Sequence, residues 1–212
     1  MRSLAFTLLL AAASFSSSAA AADKIVAPDQ TWKWLHPTDG VDPAKAVPDF
    51  HKSFFLATFD DSLWKEGKDG PGPHGGFAYG EAGFTGVDIG TPPKKGDNGQ
   101  ENHRKSAYFR LKLKTDKAFG DLVLKCQRDD GVIVYLDGKE VARDNMPGGV
   151  ADAYGLFATE AIGNEAETTP IALKLPGSLA AGEHVLAISL HNRDGGSSDL
   201  RLAEVTLEGT PQ

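Results

Sequence analysis

The chain has 212 residues, an acidic balance of 22 Lys and Arg against 29 Asp and Glu, and one cysteine. An acidic surface lacks the basic footprint that nucleic acid or an anionic membrane surface requires, so both are excluded as expected partners. A single thiol cannot close an internal disulfide, so the fold must rest on a packed core.

The N-terminus reads as a cleavable signal peptide over residues 1–22. Arg2 gives the positive start, Leu4 to Ala13 the apolar stretch, and Ala20-Ala21-Ala22 the small-residue site before Asp23. The apolar stretch is shorter than the ~20 residues of a membrane span. The expectation is a secreted or periplasmic protein, not inserted in the membrane after cleavage, with residues 23–212 as one domain.

Residues 23–105 are punctuated by Pro28, Pro37, Pro43, Pro48, Pro71, Pro73, Pro92 and Pro93. Strands are predicted over Thr31–Leu35 and Ser53–Phe59, and residues 94–102 read as an exposed tip. From Ser106 the alternation becomes regular. Residues 107–114 put Phe109, Leu111 and Leu113 on one face and Arg110, Lys112 and Lys114 on the other. Residues 121–126 repeat the pattern, with Cys126 as a small hydrophobe in line with Leu122 and Leu124. The continuous apolar run 132–136 suits a strand covered on both faces. Asp137-Gly138 then predicts a hairpin into residues 139–143. Strands at 171–175, 183–192 and 200–209 complete the set, with no more than a helical turn in 151–168. Seven or more short strands with turn chemistry between them indicate an all-β antiparallel sandwich or jelly roll with a turn-rich N-terminal segment.

Motifs of established chemistry are missing: no phosphate-binding loop, no His-Glu-x-x-His, no Cys-x-x-Cys and no Gly-x-Ser-x-Gly. His191 with Ser197, Ser198 and Asp199 has the residue types of a triad, but nothing supplies oxyanion donors, and Gly195 to Asp199 reads better as a polar turn. Acids beside glycine turns at Asp60-Asp61, Asp97, Asp129-Asp130 and Asp194 to Asp199 suit a structural calcium, which takes oxygen ligands from loops. The scattered histidines do not suit zinc.

The segments Trp32 to Trp34, Phe59 to Gly67, Tyr108 to Leu113, Arg128 to Pro147, His184 to Asn192 and Ser197 to Leu202 follow one another in a recognisable order. Together they resemble a galactose-binding-like jelly-roll domain of secreted bacterial proteins, the type often appended to metallophosphatases and other extracellular hydrolases. The resemblance covers most of residues 32–208, and its most specific parts are residues 129–147 and the stretch from His191 to Leu200. It departs in the insert 84–104 and at Asp137, where asparagine is usual; Asp137 suits the same turn.

The resemblance implies a secreted, non-catalytic binding or accessory domain, with a glycan as the leading ligand and a secreted protein partner as the alternative. A small hydrolase or lyase using acids and His191 is a third reading. The polar residues expected to meet a ligand are Asp129, Asp130, Arg143, Asn145, His191, Asn192 and Asp199, with Trp64 as a stacking platform. A buried pair of Arg128 or Arg143 with Asp199 is the structural alternative. Asp129-Asp130 itself is read chiefly as a turn-former between strands.

Overall fold

A computed structural model describes residues 21–70, 72, 75–94 and 102–212. The expected leader, residues 1–22, lies outside the described residues except for its last two positions, and so does the expected tip at 94–102 except for its two ends. The strands are β1 (Asp23–Val26), β2 (Thr31–Leu35), β3 (Lys65–Lys68), β4 (Phe77–Tyr79), β5 (Val87–Asp88), β6 (Ser106–Thr115), β7 (Phe119–Asp129), β8 (Gly131–Leu136), β9 (Lys139–Asp144), β10 (Ile171–Lys174), β11 (Gly182–His191) and β12 (Leu200–Pro211). The single-turn helices are α1 (Phe50–Ser53) and α2 (Glu165–Thr168), with a 3₁₀ turn at Pro43–Lys45.

Two six-stranded sheets face each other. Sheet one runs β10-β7-β12-β4-β5, with β1 also on β12; sheet two runs β3-β2-β6-β11-β8-β9. Every pairing is antiparallel except β4 with β5. The all-β sandwich is therefore present, and its core forms where the alternating apolar positions meet: Phe109, Leu111, Val132, Val134, Ile188 and Leu190 against Leu122, Leu124, Cys126, Leu202, Val205 and Leu207. The hairpin of β8 and β9 turns at Asp137 and Gly138, both at positive φ (49° and 81°) as a mirror-image two-residue turn requires.

Sheet two is covered on its other side as well. Tyr108, Ile133, Tyr135 and Ala187 point away from the sandwich core and pack against Phe50, Phe54, Trp64, Met146 and Tyr154. Here the strand predicted over Ser53–Phe59 is corrected: the segment is the end of α1 followed by turns. Phe50 and Phe54 lie four residues apart, so one helical turn sets both rings on the same side, stacked at 5.5 Å between centroids. Both meet Tyr108 edge-on. A strand would have pointed alternate side chains to opposite faces and wasted part of this aromatic surface, each ring being worth about 1.5–3 kcal/mol when buried. The layer also closes over Arg110 on β6. Its Nε donates to Asp61 Oδ2 at 2.8 Å and its Nη1 to the carbonyls of Leu56, at 3.1 Å, and Phe54.

One irregularity bears on the site. β12 bulges between Ala203 and Thr206, with Glu204 at φ 52°, so the Glu204 and Val205 N–H groups face Asp69. Asp69 accepts both, at 3.1 and 2.7 Å.

Candidate functional site

β7 belongs to sheet one and β8 to sheet two, so Asp129-Asp130-Gly131 is where the chain crosses the sandwich. The Asp129–Asp130 peptide is cis. The two carboxyls lie against each other but differ in their other partners. Asp130 Oδ1 accepts the Ile162 N–H and Oδ2 the Arg193 N–H, each at 2.6 Å, and its carbonyl accepts from Asn145 Nδ2 at 3.2 Å. Asn145 in turn donates to Glu160 O and accepts from Glu160 N–H. Asp130 and Asn145 thus tie the 160–162 loop and the end of β11 to the crossing.

Asp129 lies with Glu81 and Asp199, one oxygen of each falling within 4.8 Å of the others. The topology explains the meeting. Arg201 on β12 stands opposite Asp129 on β7, and Leu200 opposite Tyr79 on β4, which brings Asp199 and Glu81 to the same end. Asp129 is only 2% exposed and its Oδ2 has no hydrogen-bond partner. Burial first, then the Asp130 and Asp199 carboxyls, push its own carboxyl up to about 9. The expected pair of Arg128 or Arg143 with Asp199 is not formed: Arg128 binds Asp144, with Nε at 2.7 Å, and Arg143 binds Glu140 at 2.6 Å. Each arginine finds its acid on or beside β9, nearer in the chain than Asp199.

Asn192 completes the corner. Fully buried, it donates from Nδ2 to Tyr79 Oη at 2.8 Å, while its Oδ1 has no partner. The Tyr79 ring stacks on His36 at 5.4 Å and 9° between planes, with the Arg104 guanidinium 5.8 Å from its centre. Burial raises the Tyr79 phenol well above its usual range. Beside this corner a cavity of about 270 Å³ is lined by Tyr79, Glu81, Phe84, Asp88 and Thr91.

His191 belongs to a neighbouring network. Ser106 Oγ lies 2.9 Å from its Nδ1 and Asp152 Oδ1 lies 3.3 Å from its Nε2, so the residue types of a catalytic triad are assembled with Ser106, not with Ser197 or Ser198. The protons run the wrong way for catalysis. Nδ1 also faces the Leu156 carbonyl at 2.8 Å, which only accepts, so Nδ1 carries its hydrogen and is no base toward the serine. Ser106 donates its own proton to Tyr154 O at 3.0 Å. Both side chains are fully buried.

Of the residues singled out by sequence, then, Asp129, Asn192 and Asp199 converge, and Asp130, Asn145 and His191 surround them as scaffold. Arg143 holds the loop after β9 through the Pro147 and Val150 carbonyls. Trp64 sits in the outer layer, tilted against Phe50 at 6.2 Å, and lines a separate groove of about 440 Å³ with Leu63, Val41 and Val47. Sequence reasoning missed Glu81. The only trace of its position is Gly80, whose φ of 78° and close approach to the Ser198 backbone require glycine.

No protein-family model matches the chain, and no curated protein is significantly similar in sequence. Solved structures that align with it include a calcium-binding mutant of Bacteroides uniformis β-glucuronidase 2 (14% identity, TM-score 0.47), covering 89% of this chain and 18% of that one. A β-glucuronidase of an uncultured Clostridium sp. aligns at 14% identity and TM-score 0.42, over 98% and 31%. A glycosyl hydrolase family 2 member from Bacteroides cellulosilyticus aligns at 11% and 0.47, over 89% and 20%. The chain spans less than a third of the length of each.

Proposed function

We propose that the chain is a secreted, non-catalytic binding domain of the galactose-binding-like type, and that it takes a glycan in the cavity between β4 and β5. The observation that carries this reading is the lining of that cavity. Glu81 and Asp88 offer carboxylates that accept from sugar hydroxyls, Thr91 offers a hydroxyl, and Phe84 offers a ring for the C–H face of a pyranose. A structural calcium at the adjoining acids is part of the same reading. Affinity electrophoresis and a glycan array on the purified chain test it. Retardation by at least one glycan is expected, lost in Phe84→Ala and Asp88→Asn. Flat binding across plant, algal and bacterial glycans sinks it.

The groove beside Trp64 favours a second reading, a protein-interaction domain. Leu63 is 96% exposed at its rim, with Val41 and Val47 also exposed. A specific partner retained from the native secretome by the wild type and released by Leu63→Lys would support it.

A further inference from the structure

The groove of about 440 Å³ beside Trp64 joins an apolar base to a rim of one sign. Phe50, Phe59 and Trp64 pack on one another, with ring centres 5.8, 5.7 and 6.2 Å apart, so the apolar part is a fixed cluster. The apolar surface continues past the recess. Leu63 is almost wholly exposed beside it, and Val41 and Val47 are exposed as well. An occupant that filled the recess alone would leave these side chains in water, which favours a polypeptide segment over a small molecule.

The charged side chains of the lining are Asp39, Asp42 and Asp60, with neither lysine nor arginine beside them. His36, lowered to about 4 by burial, adds no positive charge near neutral pH. Each aspartate uses Oδ1 to accept the backbone N–H two residues on, at Val41 (3.0 Å), Ala44 (2.8 Å) and Ser62 (3.0 Å), so local turns fix all three. Among the described residues no ion pair engages Asp39 or Asp60, and Asp42 meets only His51, at 2.8 Å. The lysines whose fields reach Asp60 and Asp42 are engaged elsewhere, Lys112 with Asp61 and Lys105 over the Tyr154 ring. The Ser62 hydroxyl and N–H hold the Asp60 carboxyl below its usual range. Burial alone would raise Asp42, but the Ala44 N–H and His51 outweigh it and hold that group low too. The rim is anionic.

Like charge rules against several occupants. A second copy related by a two-fold axis would bring the same three aspartates against this rim. An acidic protein or an anionic membrane surface would meet the same repulsion. We propose that the groove docks a basic, apolar-anchored segment of another protein, with a large apolar side chain on Phe50, Phe59 and Trp64 and flanking lysine or arginine at Asp39, Asp42 and Asp60. This rests on the protein-interaction reading given above and adds the chemistry of the partner. The buried anchor supplies most of the affinity, and the charges supply selectivity and speed of encounter.

The test is fluorescence anisotropy with a short labelled peptide alternating lysine and leucine, beside two counterparts, one with glutamate for lysine and one with serine for leucine. Saturable binding of the first is expected, at least about tenfold weaker for either counterpart and falling as salt rises from about 0.05 to 0.5 M. Asp39→Asn combined with Asp60→Asn should weaken it about tenfold and flatten the salt dependence, since asparagine keeps the acceptor that each turn needs. Asp116→Asn, an exposed acid in the β6–β7 turn, should change neither. No binding of the lysine–leucine peptide by the folded chain overturns the proposal, as does equal binding of all three peptides or an unaltered affinity in the double aspartate variant. A wild type that sediments as a dimer, and as a monomer after Leu63→Lys, gives the groove to a second copy and also overturns it. A partner kept from the native secretome by the wild type and lost by Leu63→Lys, yet undiminished in the double aspartate variant, would leave the protein-interaction reading standing while the basic class fell.

Discussion

Nε2 of His191 stands 3.3 Å from Oδ1 of Asp152, and neither side chain reaches solvent. Burial alone would raise the Asp152 carboxyl, but His191, Ser189 and Tyr135 outweigh it and hold the group below its usual range. The arrangement staples the loop carrying Asp152 to β8 and β11, at Tyr135, Ser189 and His191. His191→Ala strands a buried carboxylate and should cost about 3–5 kcal/mol in urea unfolding. Asp152→Asn, which keeps an acceptor, should cost less. A His191→Ala variant within ~1 kcal/mol of wild type would remove the structural reading of this network.

Two buried groups should give stability opposite slopes with pH. His36 is lowered from 6.5 to about 4 by burial, so below 6.5 the unfolded chain takes up a proton that the folded chain refuses. Its contribution is present above pH 6.5 and is lost as the pH falls toward 4. Asp69 is raised from 3.8 to about 7, again by burial, so the folded chain keeps a proton the unfolded chain has released. Its contribution is present below pH 4 and is lost as the pH rises toward 7. Each effect is of order 3 kcal/mol across the window, so they largely cancel. Asp69→Asn should therefore unmask a steep acid loss between pH 6.5 and 4, read from unfolding midpoints at several pH values. An unchanged slope in that variant would contradict the assignment.

Gly80 closes the approach of β4 to β12. At its φ of 78° an added Cβ would collide with the Ser198 carbonyl oxygen. Gly80→Ala should cost about 2–3 kcal/mol and separate Glu81 from Asp199. Thermal melts check the first effect. A variant as stable as wild type would mean that the turn relaxes without penalty.

Cys126 is fully buried in the sandwich core, and burial pushes its thiol up to about 12. It should be inert to a thiol reagent in the folded chain and react stoichiometrically on unfolding. Rapid labelling under native conditions would show that β7 opens.

The sandwich was legible because alternation is a local property: the strands at 107–114, 132–136 and 200–209 announce their buried faces residue by residue. The outer layer was less so, because α1 is a single turn and its spacing of Phe50 and Phe54 is too short a pattern to separate from a strand. At the site, Asp129, Asn192 and Asp199 could be named, but not the division of labour between Asp129 and Asp130, whose environments depend on contacts with residues 32 and more positions away. Glu81 follows a three-residue strand whose place is set by pairing with β12, and no periodicity reaches it.

The cladding of sheet two by Phe50, Phe54, Trp64 and Tyr154 has a consequence for the geometry of encounter. Where that layer lies, the strands of the leaf are covered against a polymer lying lengthwise, and the outward side of the other leaf carries Lys125 with Glu208 and Gln127 with Glu204 in mutual pairs. The recess near Glu81, of about 270 Å³, opens at the rim of the sandwich and not along a strand face. Under the glycan reading proposed above, a recess of that size takes one sugar ring, so a polysaccharide would be gripped at a tip or branch with its length trailing into solvent.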